Sequence, residues 1–320
     1  MTRLGPGTRL TDNLTLVRVL GEGGMGTVWL AEHRALGSEV AVKVMHPELG
    51  RRDPTLLERF TAEARAAAKV RHPHIVQVFD CGVTADGVAW LSMERLEGES
   101  LREALDAKGR VSVEFAREVL HQVCGAVAKA HEAGIVHRDL KPENLFVADV
   151  SGKPYVKVLD FGIAKRVDAA SGMTATGQVF GTPAYMSPEQ LLSTKSVDAQ
   201  ADLWALAVIV YELLTGRLPF SGETSSAIAV AVAMGQFVSA TAVEPGLGPA
   251  VDGFFARAFA RSASARFGSA EELARALVAA LEGTAPARAP AAAPPLKPAA
   301  TEVQLPAGFA GGGRHGTEVA

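Results

Sequence analysis

Cysteine is scarce in this chain of 320 residues, which contains only Cys81 and Cys124. Neither lies in a metal-ligand cluster, and so sparse a pair fits a reducing compartment better than a disulfide framework. Both thiols are read as small buried apolar side chains. Charge of one sign is also lacking: Lys and Arg number 32 against 35 Asp and Glu, a formal net charge of −3. No overall polarity therefore points to nucleic acid or to an anionic membrane. Arg3 and Arg9 are followed by no apolar core, so no signal peptide is read. The longest apolar run, Leu203 to Tyr211, is too short to span a bilayer and meets Glu212 at once. Internal repeats are absent. The expectation is a soluble, cytoplasmic protein with no membrane segment in this chain and no nucleic-acid partner.

Hydrophobic residues make up 48% of the sequence, enough to bury a substantial core. The first part reads as strands. Val40, Val42 and Val44 alternate with Ala41, Lys43 and Met45, which places the two sets on opposite faces. Asp53-Pro54 opens a helix with an apolar stripe of Leu57, Phe60, Ala64 and Ala67. Strand patterns return around Ile75 to Phe79 and Val88 to Met93. After Gly98 helices take over. Ser112 caps one with the stripe Phe115, Val119 and Val123. Ala201 to Leu214 reads as a buried helix, and Glu271 to Leu281 closes the ordered part. From Gly283 prolines and alanines dominate and few large apolar residues remain, so the tail is expected to be disordered. The fold class is α+β, with a strand-rich lobe followed by a helical one. The boundaries read as an N-terminal extension over 1–13, the first lobe over 14–95, the second over 96–282 and the tail over 283–320.

Several constellations carry chemistry. Gly21-Glu22-Gly23-Gly24-Met25-Gly26, followed by Val28, lets a strand-turn-strand backbone approach phosphates closely. Alone it reads as a plain hairpin; a strand rather than a helix follows it, unlike a dinucleotide fold. Ala41 and Lys43 share one face of a strand, the small residue leaving room for a purine and the lysine reaching for phosphates. A solvated lysine is the bland alternative. Glu63 borders the buried stripe of its helix, and Lys43 is a plausible partner for it. An ordinary amphipathic-helix glutamate is the alternative there.

His137-Arg138-Asp139-Leu140-Lys141-Pro142-Glu143-Asn144 changes the weight of these features. This string resembles the catalytic loop of eukaryotic-type protein kinases, and Asp160-Phe161-Gly162 resembles their metal-binding motif. Ser187-Pro188-Glu189 stands where many members carry Ala-Pro-Glu. Asp202-Leu203-Trp204 and Arg266 look like the family's later signatures, and the motifs occur in the family's order. The resemblance covers about Leu16 to Leu281 and implies a bilobal protein-kinase fold. The string Tyr185-Met186-Ser187-Pro188-Glu189-Gln190 is most similar to that of bacterial members.

The resemblance implies a phosphotransferase using ATP and Mg²⁺, with Mn²⁺ as an alternative ion, on Ser and Thr hydroxyls of proteins. Leu20, Gly21, Glu22, Gly23, Gly24, Met25 and Gly26 would cover the nucleotide. Lys43 would hold its α- and β-phosphates, oriented by Glu63. Asp160 and Asn144 would bind the metal. Asp139 would accept the hydroxyl proton, and Lys141 would steady the γ-phosphate. The adenine would lie between Val28 and Ala41 above and Leu145 below, with Met93 as gatekeeper and the backbone of Glu94 and Leu96 at the purine edge. Lys141, with Thr182 in Gly181-Thr182-Pro183, implies Ser/Thr rather than Tyr specificity. Arg138, with Lys165 as a second ligand, would receive a phosphate from Thr174 or Thr176, and transient self-association would serve autophosphorylation in trans. His137 is read as packing under Phe161, Asp202 as bonding the catalytic-loop backbone, Glu189 and Arg266 as a buried ion pair, and Trp204 and Phe220 as core. A kinase fold acting only as a scaffold is the competing reading. It usually shows loss of the lysine or an aspartate, and Lys43, Asp139 and Asp160 are all present. A small-molecule phosphotransferase of related fold is disfavoured by the segment Gly181 to Glu189, which resembles a peptide-docking platform.

Overall fold

The computed structural model describes residues 4–35, 37–52, 54–160, 183–192 and 197–282. Alternating burial builds the first lobe. Strands β1 (Leu14–Gly23), β2 (Gly26–His33), β3 (Ser38–Met45), β4 (Val78–Val83) and β5 (Ala89–Met93) form an antiparallel sheet in the order β1-β2-β3-β5-β4. On β3, Val40, Val42 and Val44 point to an outer cluster with Leu14, Leu16, Trp29 and Trp90. Met45 faces the other way, toward Phe60 and Ala64 of helix α2 (Pro54–Ala67), which follows α1 (Pro47–Arg52). The helical stripe thus meets the sheet as the periodicity requires, with Leu56 buried beside the half-buried Leu57. Residues ahead of β1 join the sheet's outer face. Leu10 is buried there, Leu4 packs against the cluster, and Gly7 N–H donates to the Leu16 carbonyl at 2.7 Å. Asp53, the expected helix cap, lies outside the described residues.

The strand expected over Ile75 to Phe79 begins only at Val78. Ile75 instead pairs in parallel with Val158, and Val76 N–H donates to the Val158 carbonyl at 3.0 Å. This stretch therefore spends its backbone groups on the second lobe. Of the cysteines, Cys124 is buried and its thiol is pushed up by burial, whereas Cys81 on β4 is only half-buried, correcting the expectation for it.

The second lobe is helical. It contains α3 (Leu101–Lys108), α4 (Val113–Glu132), α5 (Pro188–Leu192), α6 (Gln200–Thr215), α7 (Ser225–Met234), α8 (Ala240–Val243), α9 (Pro249–Ala258) and α10 (Ala270–Leu281). Ser112 caps α4, accepting from Phe115 N–H at 3.1 Å. Every residue of α6 from Ala201 to Thr215 is buried, so it forms the axis on which the others pack. Trp204 stacks on Phe220 at 5.3 Å, and Phe259 closes on both rings. A small sheet of β6 (Glu99–Ser100), β7 (Leu145–Val150) and β8 (Lys153–Val158) lies at the joint of the lobes. It delivers the loop before β7 and the residues after β8 to the same cleft.

Candidate active site

The glycine segment is a hairpin whose tip is Gly24-Met25, and Gly21 to Gly23 project into solvent from the end of β1. Gly26 has a steric reason to be glycine: a Cβ there would sit 2.2 Å from the Val44 carbonyl oxygen. Beyond the tip, His46 N–H donates to the Met25 carbonyl at 3.0 Å, which fixes the hairpin to the end of β3. Register then aligns Val28 with Lys43, and Ala41 with Met93. Ala41, Val76 and Met93 form a small apolar cluster with Val28, Leu96 and Leu159. The cluster brings together Val28, Ala41, Met93 and Leu96, four of the residues expected around a purine.

Leu145 departs from its expected place. It is fully buried in the main core, paired with Val158, and offers no surface to a ligand. The strand period puts the next side chain on the opposite face. Phe146 is half-buried, with its ring against Gly98 just beyond Leu96.

Lys43 Nζ lies 2.7 Å from Asp160 Oδ2, so the strand lysine and the residue after β8 meet across the cleft. Glu63 lies on α2, and its side chain is outside the described set, so its pairing with Lys43 stays an expectation. Asp160 adopts φ 49° and Arg138 φ 64°, a backbone region costly for such residues and typical of sites where the surroundings impose the shape. Those surroundings are visible around Arg138. Asp202, 1% exposed, accepts from His137 N–H at 2.8 Å, Arg138 N–H at 2.7 Å and His131 Nε2 at 2.8 Å. Gln190 Nε2 donates to the Arg138 carbonyl at 2.9 Å. His137 Nε2 donates to the Leu159 carbonyl at 2.7 Å, and Nδ1 accepts from Asp139 N–H at 3.3 Å. Its ring is thus a structural bridge, as read; Phe161, its expected cover, lies outside the described residues.

Asp139 Oδ2 lies 3.5 Å from Lys141 Nζ. Asn144 Nδ2 donates to the Asp139 carbonyl at 2.7 Å and approaches its Oδ2 at 3.3 Å. The amide nitrogen is therefore turned to Asp139, and the oxygen is the Asn144 atom left to face a cation. Asn144 also accepts from Leu159 N–H at 2.9 Å through its backbone, which couples the loop to the residue before Asp160. Among the described residues no cluster of three or more His, Cys, Asp or Glu could hold a metal by itself. One carboxylate and one amide oxygen suit Mg²⁺, a hard ion that keeps waters and shares substrate phosphates. The donor set fits that ion.

Beneath the cleft, Arg266 grips Glu189 with two bonds of 2.8 and 3.1 Å, and its guanidinium lies 4.8 Å above the Trp204 ring. Burial pushes the Glu189 carboxyl up, but the Arg266 hydrogen bonds prevail and hold it below the usual range. Sequence reasoning did not assign Lys157, Gln190, His131 or the buried triad of Arg102, Tyr185 and Glu212. In that triad, Arg102 Nη1 donates to Glu212 Oε1 at 2.8 Å and the Tyr185 hydroxyl donates to the other oxygen. A glutamate inside the apolar run of α6 was the available signal for the last.

Residues 14–275 match the family described as Protein kinase domain. The chain belongs to the protein kinase family. Bacterial relatives are among those it resembles. It is 46% identical over 266 residues to the serine/threonine-protein kinase Pkn1 of Myxococcus xanthus, covering 82% of this chain and 37% of that protein. It is 36% identical to PknB of Mycobacterium tuberculosis, covering 85% and 43%, and 35% identical to PrkC of Bacillus subtilis, covering 83% and 40%. The chain thus spans less than half the length of these relatives. The crystal structure of the Mycobacterium tuberculosis PknI kinase domain superposes with a TM-score of 0.68 at 29% identity, covering 87% of this chain and 99% of that one. No helix among the described residues is long and apolar enough to cross a membrane.

Proposed function

We propose that this kinase-family chain transfers the γ-phosphoryl group of ATP to Ser and Thr hydroxyls of proteins, its own chain among them. The observation that carries this reading is the convergence of Lys43, Asp139, Lys141, Asn144 and Asp160 on one cleft. ATP binds with its purine among Val28, Ala41, Met93 and Leu96, at the backbone edge of Glu94 and Leu96. Phe146 closes the slot from below, in the place first given to Leu145. The hairpin from Leu20 to Gly26 covers the phosphates, and Lys43, oriented by Glu63, holds the α- and β-phosphates. Asp160 and Asn144 would hold Mg²⁺, or Mn²⁺ with the same donors, and the ion would supply counter-charge to the phosphates. Asp139 accepts the hydroxyl proton as the new O–P bond forms and the bond to ADP breaks. Lys141 steadies the charge on the transferred group.

Arg138 supports the regulatory part of the reading. Its Nε is buried with no hydrogen-bond partner among the described residues, and Nη2 reaches only the Val197 carbonyl at 3.4 Å. A phosphothreonine supplies the anion such a guanidinium takes. Thr174, Thr176 and Lys165 lie outside the described residues and remain the candidates, as does transient self-association for transfer in trans. A cytoplasmic location is proposed with this use of ATP. The domain limits proposed are 14–95 and 96–282 for the lobes, with 1–13 before and 283–320 after them. The test is phosphate transfer to an exogenous protein by purified chain and by its Asp139→Asn variant. Transfer that survives the substitution, with contaminating kinases excluded, sinks the assignment.

A further inference from the structure

One buried cation is not used by this chemistry. Lys157 lies on β8, and its side chain is 11% exposed. Its Nζ donates to Glu94 Oε1 at 2.6 Å and reaches the Ile75 carbonyl at 3.4 Å. The same Glu94 oxygen accepts from Gln77 N–H at 2.6 Å, and Glu94 N–H donates to the Gln77 carbonyl at 2.9 Å. Three segments therefore meet on one carboxylate: the stretch before β4, the connection between the lobes, and β8. Backbone pairing welds the first to the last, since Val158 N–H donates to the His74 carbonyl at 2.9 Å and Val76 N–H to the Val158 carbonyl at 3.0 Å.

A buried ion pair is weak evidence for stability, because desolvation offsets most of the attraction. Orientation is what it adds. Here the oriented object is the connection at Glu94 to Leu96. We infer that Lys157 is a positioning residue for nucleotide binding: it pins the Glu94 carboxylate, so that the carbonyl of Glu94 and the N–H of Leu96 are already aimed into the slot before ATP arrives. This inference rests on the proposed contact of those backbone groups with the purine edge. Without Lys157 the carboxylate keeps only Gln77 on that side, and the connection samples orientations in which the donor and acceptor point elsewhere. Affinity falls by the fraction of time they are misdirected, while the groups that carry transfer are untouched.

The test uses the full chain and MgATP. Lys157→Met should raise both the calorimetric Kd for MgATP and the KM for ATP about fivefold to tenfold, with kcat within about twofold. Lys157→Arg should restore most of the affinity. Amide hydrogen exchange at residues 94–96 should quicken in Lys157→Met without nucleotide. Because the single variant strands the Glu94 charge, a Glu94→Gln/Lys157→Met double variant removes both charges and should show the same loss of affinity. Wild-type affinity and exchange in Lys157→Met overturn the inference while leaving the nucleotide site intact. So does a loss of MgATP affinity, kcat and melting temperature together in both variants, since that marks a merely structural pair. A wild-type chain that binds no MgATP overturns this inference together with the proposed function.

Discussion

Two charge pairs of nearly equal length do opposite jobs in this molecule. Lys43 meets Asp160 at 2.7 Å and Arg266 meets Glu189 at 2.8 Å. The first pair is single-contact, at the cleft, with side chains 14% and 31% exposed. The second is bidentate, and its cation is 1% exposed, roofing the Trp204 ring and donating also to the Ala260 carbonyl. Neither member of the first pair has its hydrogen-bonding capacity exhausted by the other, as the phosphate and metal contacts proposed for them require. In the second pair the cation is enclosed, its guanidinium shared among Glu189, the Ala260 carbonyl and the Trp204 ring. Distance alone does not distinguish a pair open to further partners from an enclosed one; the satisfaction of the remaining donors does.

The sharpest way to break this contrast is to substitute within each pair. Lys43→Met, like Asp139→Asn, should lower kcat/KM by at least about 10²-fold, with the thermal midpoint near that of the wild type. A steady-state assay paired with calorimetry reads both. Arg266→Ala should invert the pattern, losing about 3 kcal/mol of stability by urea unfolding. At a temperature where it stays folded, this variant should bind MgATP almost as the wild type does.

A neighbouring pair of residues on β7 extends the comparison to apolar side chains. Leu145→Ala should cost about 2–4 kcal/mol in the main core, and nucleotide affinity should change little. Phe146→Ala should cost less stability and weaken MgATP binding several-fold, as a side chain that closes the slot must. Equal effects of the two substitutions on affinity would mean that the strand face has been misassigned.

The smallest effect concerns pH. Glu189 has its carboxyl held below the usual value in the folded state, so its pairing contributes stability above the unfolded carboxylate range, near pH 4.3. That contribution disappears as pH falls through the depressed folded value. The gap in melting temperature between wild type and Arg266→Ala should therefore narrow as the buffer is taken from about pH 6 toward pH 3. A gap that widens in acid contradicts the assignment.

Much of this was legible because the chemistry is contiguous in sequence. His137 to Asn144 is a single string, and Asp160, Asp202, Glu189 and Arg266 each announce themselves as polar residues in expected order. The valines of β3 and the apolar run of α6 were equally plain, because period and composition determine their burial. What escaped depends on register or on partners far along the chain. Which of Leu145 and Phe146 turns into the main core follows from the pairing of Leu145 with Val158, and two adjacent apolar residues at a strand start carry no sign of which turns inward. Ile75 looked like the opening of β4 but bonds across to β8. Lys157 alternates with valines as an ordinary exposed strand lysine would, and only its contact with Glu94, 63 residues away in sequence, reveals its burial.

The placement of the indoles has an optical consequence. The chain has three tryptophans. Trp29 and Trp90 share the outer apolar face of the five-stranded sheet, and Trp204 is sealed in the helical lobe beneath the Arg266 guanidinium. None belongs to the apolar cluster of Ala41, Val76 and Met93. Intrinsic fluorescence is therefore divided by lobe: a Trp204→Phe chain emits only from the sheet, and a Trp29→Phe/Trp90→Phe chain only from the helices. Each lobe can be watched melting by its own light.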